Sequence, residues 1–94
     1  MFVRVVRFTG VTPERIDQLV ARIKEAGGPP PGVRTTGLKL FFDEGQGTAL
    51  AVQEFTTAQD MEESAKVFEA MDPGETPGTR TSVDACEVKL EVTA

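Results

Sequence analysis

The stretch Thr48-Ala49-Leu50-Ala51-Val52-Gln53-Glu54-Phe55-Thr56-Thr57-Ala58-Gln59-Asp60 decides how this chain is read. Its first eight residues, through Phe55, are apolar or β-branched at most positions and form a strand. Thr56 and Thr57 follow, and either hydroxyl can accept an unpaired N–H at a helix start. Thr56 with Gln59 has the spacing of a capping box. Met61, Ala65, Phe68 and Met71 then recur at helical spacing and mark a buried stripe. A strand therefore runs directly into a helix, and the other elements are placed around this junction.

Working toward the N-terminus, Val33 to Asp43 reads as a long strand with Leu38, Leu40 and Phe42 on one face. Glu44-Gly45-Gln46-Gly47 is a turn, so this strand and Thr48–Phe55 form a hairpin. Phe2 to Thr9 is the first strand and stops at Gly10; Val3 and Val5 point to one side, Val6 and Phe8 to the other. Apolar residues on both sides predict burial on both faces. Thr12-Pro13-Glu14 opens a helix: Thr12 caps, Pro13 suits the first helical position, and Glu14 meets the positive end of the dipole. Ile16, Leu19, Val20 and Ile23 form its apolar stripe, Gly27-Gly28 ends it, and Pro29 to Gly32 makes a stiff connection. Toward the C-terminus, Asp72 to Gly78 is an irregular loop. Arg80 to Thr93 reads as the last strand, with Cys86, Val88, Leu90 and Val92 alternating against Glu87, Lys89 and Glu91.

The order strand, helix, strand, strand, helix, strand predicts an α+β, ferredoxin-like βαββαβ unit, with two helices on one face of a four-stranded antiparallel sheet. One such unit accounts for all 94 residues as a single domain. The first strand is apolar on both sides, yet no element remains to cover the second face. The second and fourth strands fall at the sheet edges, which invites pairing with another chain. Both points predict a homodimer in which two sheets pack face to face about a two-fold axis.

Composition narrows the function. The net charge is -5 with a pI of about 4.6, which argues against nucleic-acid phosphates and anionic membranes as partners. The N-terminal apolar run is broken by Arg4 and Arg7, leaving neither a signal peptide core nor a span. Cys86 is the single cysteine, so no intramolecular disulfide forms, and a cytoplasmic location is expected. His, Tyr, Trp and Asn are all missing. Without His and with one Cys, no metal site is expected. Gly45-Gln46-Gly47 is a hairpin turn, not a phosphate loop. No cofactor is implied.

On the element order and length, on Pro31-Gly32-Val33 leading into the second strand, and on the Thr48–Asp60 junction, the chain resembles the dimeric α+β barrel superfamily. That group includes the antibiotic-biosynthesis monooxygenase-like proteins. The resemblance covers nearly the whole chain and implies a barrel-forming dimer. Its characterised members include cofactor-independent monooxygenases, haem-degrading enzymes, isomerases and polyketide cyclases. The monooxygenase and haem branches lean on Asn, Trp, Tyr or His in the cavity. This chain has none of these, so no catalytic position carries over.

The remaining leads are polar residues inside strands: Arg4, Arg7, Gln53, Glu54 and Asp84. Each either orients a ligand in a cavity or forms a plain interface ion pair. Arg7 and Gln53 are the first candidates, because they sit on the two central strands, where a polar side chain needs a partner or a ligand. Asp84, on the neighbouring strand, is the competing partner for Arg7. Phe41 and Phe55 either line an apolar pocket or pack the core. Cys86 lacks a His partner and reads as a small packed hydrophobe. The expected function is a homodimeric small-molecule-binding protein. The alternative is a cofactor-independent monooxygenase- or cyclase-like enzyme acting on a small aromatic or polyketide-like compound.

Overall fold

A computed structural model describes residues 1–70 and 76–94. The order is β1 (Phe2–Thr9), α1 (Pro13–Ala26), β2 (Gly37–Asp43), β3 (Thr48–Phe55), α2 (Ala58–Glu69) and β4 (Thr79–Glu87). The strands form one antiparallel sheet in the order β2-β3-β1-β4. This α+β arrangement is compatible with a ferredoxin-like fold. As expected, β1 and β3 are central, and β2 and β4 are the edges.

Alternation along the strands sorts side chains onto two faces. Phe2, Arg4, Val6 and Phe8 of β1 share one face with their partners Phe55, Gln53, Ala51 and Ala49 of β3. Both helices lie on this face. Ile16 of α1 is buried against Val6, Phe8 and Ala49, with Leu19, Leu40, Phe42 and Ala51 packed around them. Leu19 and Val20 are half-buried, whereas Ile23, at the far end of the expected stripe, is exposed. Under α2, Phe55, Met61 and Ser64 are buried. Ala65 and Phe68 are half-buried, and Met71 lies outside the described residues, as does 72–75 of the expected loop.

Local chemistry fixes the helix ends. The Thr12 hydroxyl accepts from the Arg15 N–H, and Gly27 ends α1 with φ 71°, a left-handed turn that costs other residues strain. For α2 the cap is Thr57, whose hydroxyl accepts from the Asp60 N–H at 3.0 Å. The expected capping box of Thr56 with Gln59 is therefore displaced by one residue. Gln59 instead donates to Glu63, one turn on. Gly78 comes so close to β1 that a side chain there would meet the Thr9 carbonyl oxygen.

Two strand boundaries correct the sequence reading. The second strand begins at Gly37, not Val33. Residues 33–35 leave the sheet because other partners hold them, while the Thr36 N–H still donates to Glu54 O of β3 at 2.8 Å. The Val33 N–H donates to Pro30 O, the Arg34 N–H to the Ser64 hydroxyl, and the Thr35 hydroxyl to Glu54 O. The fourth strand stops at Glu87, not Thr93. The apolar–polar alternation continues, but past the Val88 N–H, which donates to Met1 O at 2.9 Å, the tail has no ladder partner. Period alone does not make a strand; the backbone groups need a neighbour.

Among the described residues no helix is long and apolar enough to cross a membrane.

Candidate functional site

The sheet face opposite the helices is uncovered. Strand register resolves it into cross-strand rows. One row runs Phe41, Leu50, Arg7, Ser82; the next runs Lys39, Val52, Val5, Asp84; a third runs Gly37, Glu54, Val3, Cys86. Val3, Val5, Leu50, Val52 and Cys86 are half-buried among their neighbours, and Phe41 is 50% exposed. The result is an apolar centre with charged groups spaced across it.

At the β2–β3 hairpin end of this face lies a depression of about 210 Å³ lined by Arg7, Phe41, Leu50, Thr48, Asp43 and Gln46. Its two charged groups differ. The Asp43 carboxylate is occupied, since it accepts from the Gln46 N–H at 3.2 Å and from the Gln46 amide at 2.7 Å. The Arg7 guanidinium is exposed and makes no hydrogen bond or ion pair among the described residues. Asp84, its expected competitor, sits on the same face one row away, and no bond joins them.

The five candidate residues do not converge. Arg7, Asp84 and Phe41 occupy the uncovered face. Gln53 and Phe55 occupy the helix-covered face, where Phe55 is fully enclosed as core. Arg7 and Gln53 are both on central strands, but Gln53 is three residues, an odd number, from Leu50, the partner of Arg7, so the two point to opposite faces of the sheet. Cys86 is half-buried on the uncovered face, beside Val3.

The helix side holds a second polar constellation centred on Arg4, which is only 4% exposed. Its Nη1 donates to Gln53 Oε1 at 3.3 Å, and its Nη2 donates to Glu69 Oε1 at 3.5 Å. Its guanidinium carbon lies 5.0 Å from the centre of the Phe68 ring. Its Nε is buried and has no partner among the described residues. Burial lowers the Arg4 pKa from its ordinary value, against the opposing pull of Glu69. Glu69 also receives both terminal nitrogens of Arg80, at 3.0 and 3.1 Å. That bidentate hydrogen bonding, more than Arg4, holds its carboxyl below the usual range. The sequence reading ranked Arg4 behind Arg7. The signal that separates them is phase: Arg4 shares its side of β1 with Val6 and Phe8, the side the helices need, whereas Arg7 shares its side with Val3 and Val5.

Chemically, the Arg4 group ties α2 to β1 and β4. The Arg7 group offers a cation without a partner among the described residues, next to an exposed aromatic ring and apolar side chains. Among the described residues no three His, Cys, Asp or Glu side chains gather as a metal-holding group. No family model, no curated protein and no solved structure matches this chain.

Proposed function

We propose that this protein is a homodimeric small-molecule-binding protein of the dimeric α+β barrel type. Two copies pack their uncovered sheet faces together and hold a small apolar compound bearing a carboxylate or similar anion. The observation that carries this reading is Arg7: an unpaired guanidinium beside Phe41 and Leu50 in a depression whose only acid, Asp43, is already bonded to Gln46. Packing a second sheet over that face would close the depression and remove water from Arg7. A desolvated arginine needs an anionic partner, and its planar fork suits a carboxylate. Phe41 and Leu50 would contact the apolar body of the ligand. Neither depression nor row supplies an acid–base pair or a nucleophile with its base, so binding accounts for the side chains better than turnover does.

The test joins light scattering with native mass spectrometry of the purified protein. The expected result is a dimer carrying a small acidic compound, which Arg7→Leu loses while the dimer persists. A monomer at micromolar concentration, or unchanged ligand occupancy in the Arg7→Leu variant, would overturn the reading.

A further inference from the structure

We infer that residues 88–93 form an exchanged arm. In the proposed dimer, on which this inference rests, the arm of one copy adds as an antiparallel strand to the outer edge of β2 in the other. The segment keeps a strand's alternation, Val88, Leu90 and Val92 against Lys89, Glu91 and Thr93, but among the described residues it has no ladder partner. Its last backbone tie to the sheet is the Val88 N–H to Met1 O. Leu90 and Val92 are 81% and 76% exposed, well above every other large apolar side chain described. Two apolar side chains of this size, left in water on a strand-patterned segment, call for a cover.

The arm cannot find that cover on its own β2. Val88 is fixed beside β1, and β1 and β3 separate β4 from β2. A strand added outside β2 would therefore lie some four strand spacings from β4, about 19 Å, while the chain from Val88 reaches only about 7 Å at Leu90 and about 14 Å at Val92. Leu90 and Glu91 lean instead over one end of the uncovered face, where they line a depression of about 150 Å³ with Val3 and Glu54. That direction leads toward the space a second copy would fill.

The edge of β2 matches the arm in pattern and charge. With Leu90 opposite Leu40, antiparallel pairing sets Val88 against Phe42 and Val92 against Leu38, which is 42% exposed. On the other face the same register sets Glu91 against Lys39, with Lys89 diagonal to Asp43. Moving the register by two residues sets Leu90 against Phe42, Val92 against Leu40 and Lys89 against Asp43, while Val88 passes beyond the strand to Glu44 and Glu91 moves opposite Phe41. Cross-strand pairs of both kinds stabilise a sheet. The outer edge of β4 fits worse. Its register shifts opposite Arg7 and Phe8, and Asp84 and Glu87 would repel Glu91.

Two experiments decide. In a Cys86→Ala background, Leu90→Cys is combined with Leu40→Cys or with Phe42→Cys, one combination per register, and mild oxidation is followed by denaturing electrophoresis. Opposed residues of an antiparallel pair fall within disulfide reach. A covalent dimer in either combination is the expected result. Separately, Leu90→Ser with Val92→Ser should weaken the dimer by at least about tenfold while the melting curve of the diluted monomer is unchanged. A full-length dimer that neither cross-links nor weakens would overturn the arm and leave the dimer reading standing. A full-length monomer would overturn both.

Discussion

Arg4 and Gln53 face each other across the β1–β3 ladder, and the amide oxygen of Gln53 accepts from the buried guanidinium at 3.3 Å. Both side chains are buried in the layer between sheet and helices. Glu69 neutralises the charge from the outer end, and the Phe68 ring lies against the guanidinium at 5.0 Å. A buried charge that has partners on only some of its donors is sensitive to losing one. Gln53→Leu is expected to destabilise the fold by about 1–3 kcal/mol, because Arg4 then keeps its charge with one acceptor fewer. Combining it with Arg4→Met removes the charge as well and should recover most of that loss. Urea unfolding of the two single variants and the double measures the coupling. Additive effects would show that the pair is not one unit.

The start of α2 gives a prediction that separates two adjacent threonines. Thr57→Ala removes the hydroxyl that accepts from the Asp60 N–H and should cost about 1 kcal/mol. Thr56→Ala, one residue earlier and exposed, should change stability by less than about 0.5 kcal/mol. Thermal melts of the two variants side by side are sufficient. The reverse order would restore the capping box centred on Thr56.

Gly78 sits against β1 with no room for a methyl group. An added Cβ would collide with the Thr9 carbonyl oxygen and press on the Val11 side chain at 3.0 Å. Gly78→Ala should therefore force the backbone apart and destabilise by about 1–3 kcal/mol. Gly28→Ala is the control, since nothing lies within 4 Å of its added Cβ. Equal melting temperatures for the two variants would contradict this close approach.

Glu69 gives the pH dependence. Hydrogen bonds from Arg80 hold its folded pKa below that of the unfolded chain. A carboxylate shifted in this direction contributes stability above its unfolded pKa, near about 4.3, and loses it as pH falls through the lower folded value. Glu69→Gln removes this contribution. The stability gap between wild type and variant should be full above about pH 5 and should close as the pH drops below about 4. Because Glu69 is largely exposed, added salt should narrow the gap at neutral pH as well. A gap that stays constant from pH 7 to pH 3 would show that the ion pairs contribute nothing.

Much of the architecture is legible in local pattern. The period-two runs of β1 and β3, the period-3.6 stripe from Ile16 and the Gly27 stop are determined by near neighbours in sequence. The helix-facing phase of β1 is legible too, once Val6 and Phe8 are matched to the helix stripes. That same phase places Arg4 inside and Arg7 outside, so the two arginines could have been sorted from the sequence. Strand position does not separate them, because both sit on the central strand β1.

The amino-acid order by itself therefore determined the number and kind of elements, their antiparallel arrangement, and an apolar second face left without a cover. Tertiary structure decided what local pattern does not encode. Residues 33–36 have strand-like composition but give their backbone groups to Ser64, Glu54 and Pro30, because α2 and β3 lie within reach. Residues 88–93 keep perfect alternation yet form no strand, because a strand exists only where a second backbone supplies donors and acceptors. Gln53 finds Arg4 rather than a ligand because the register of β1 on β3 sets them face to face. Each of these depends on a contact between distant parts of the chain, and such contacts leave no mark in the spacing of neighbouring residues.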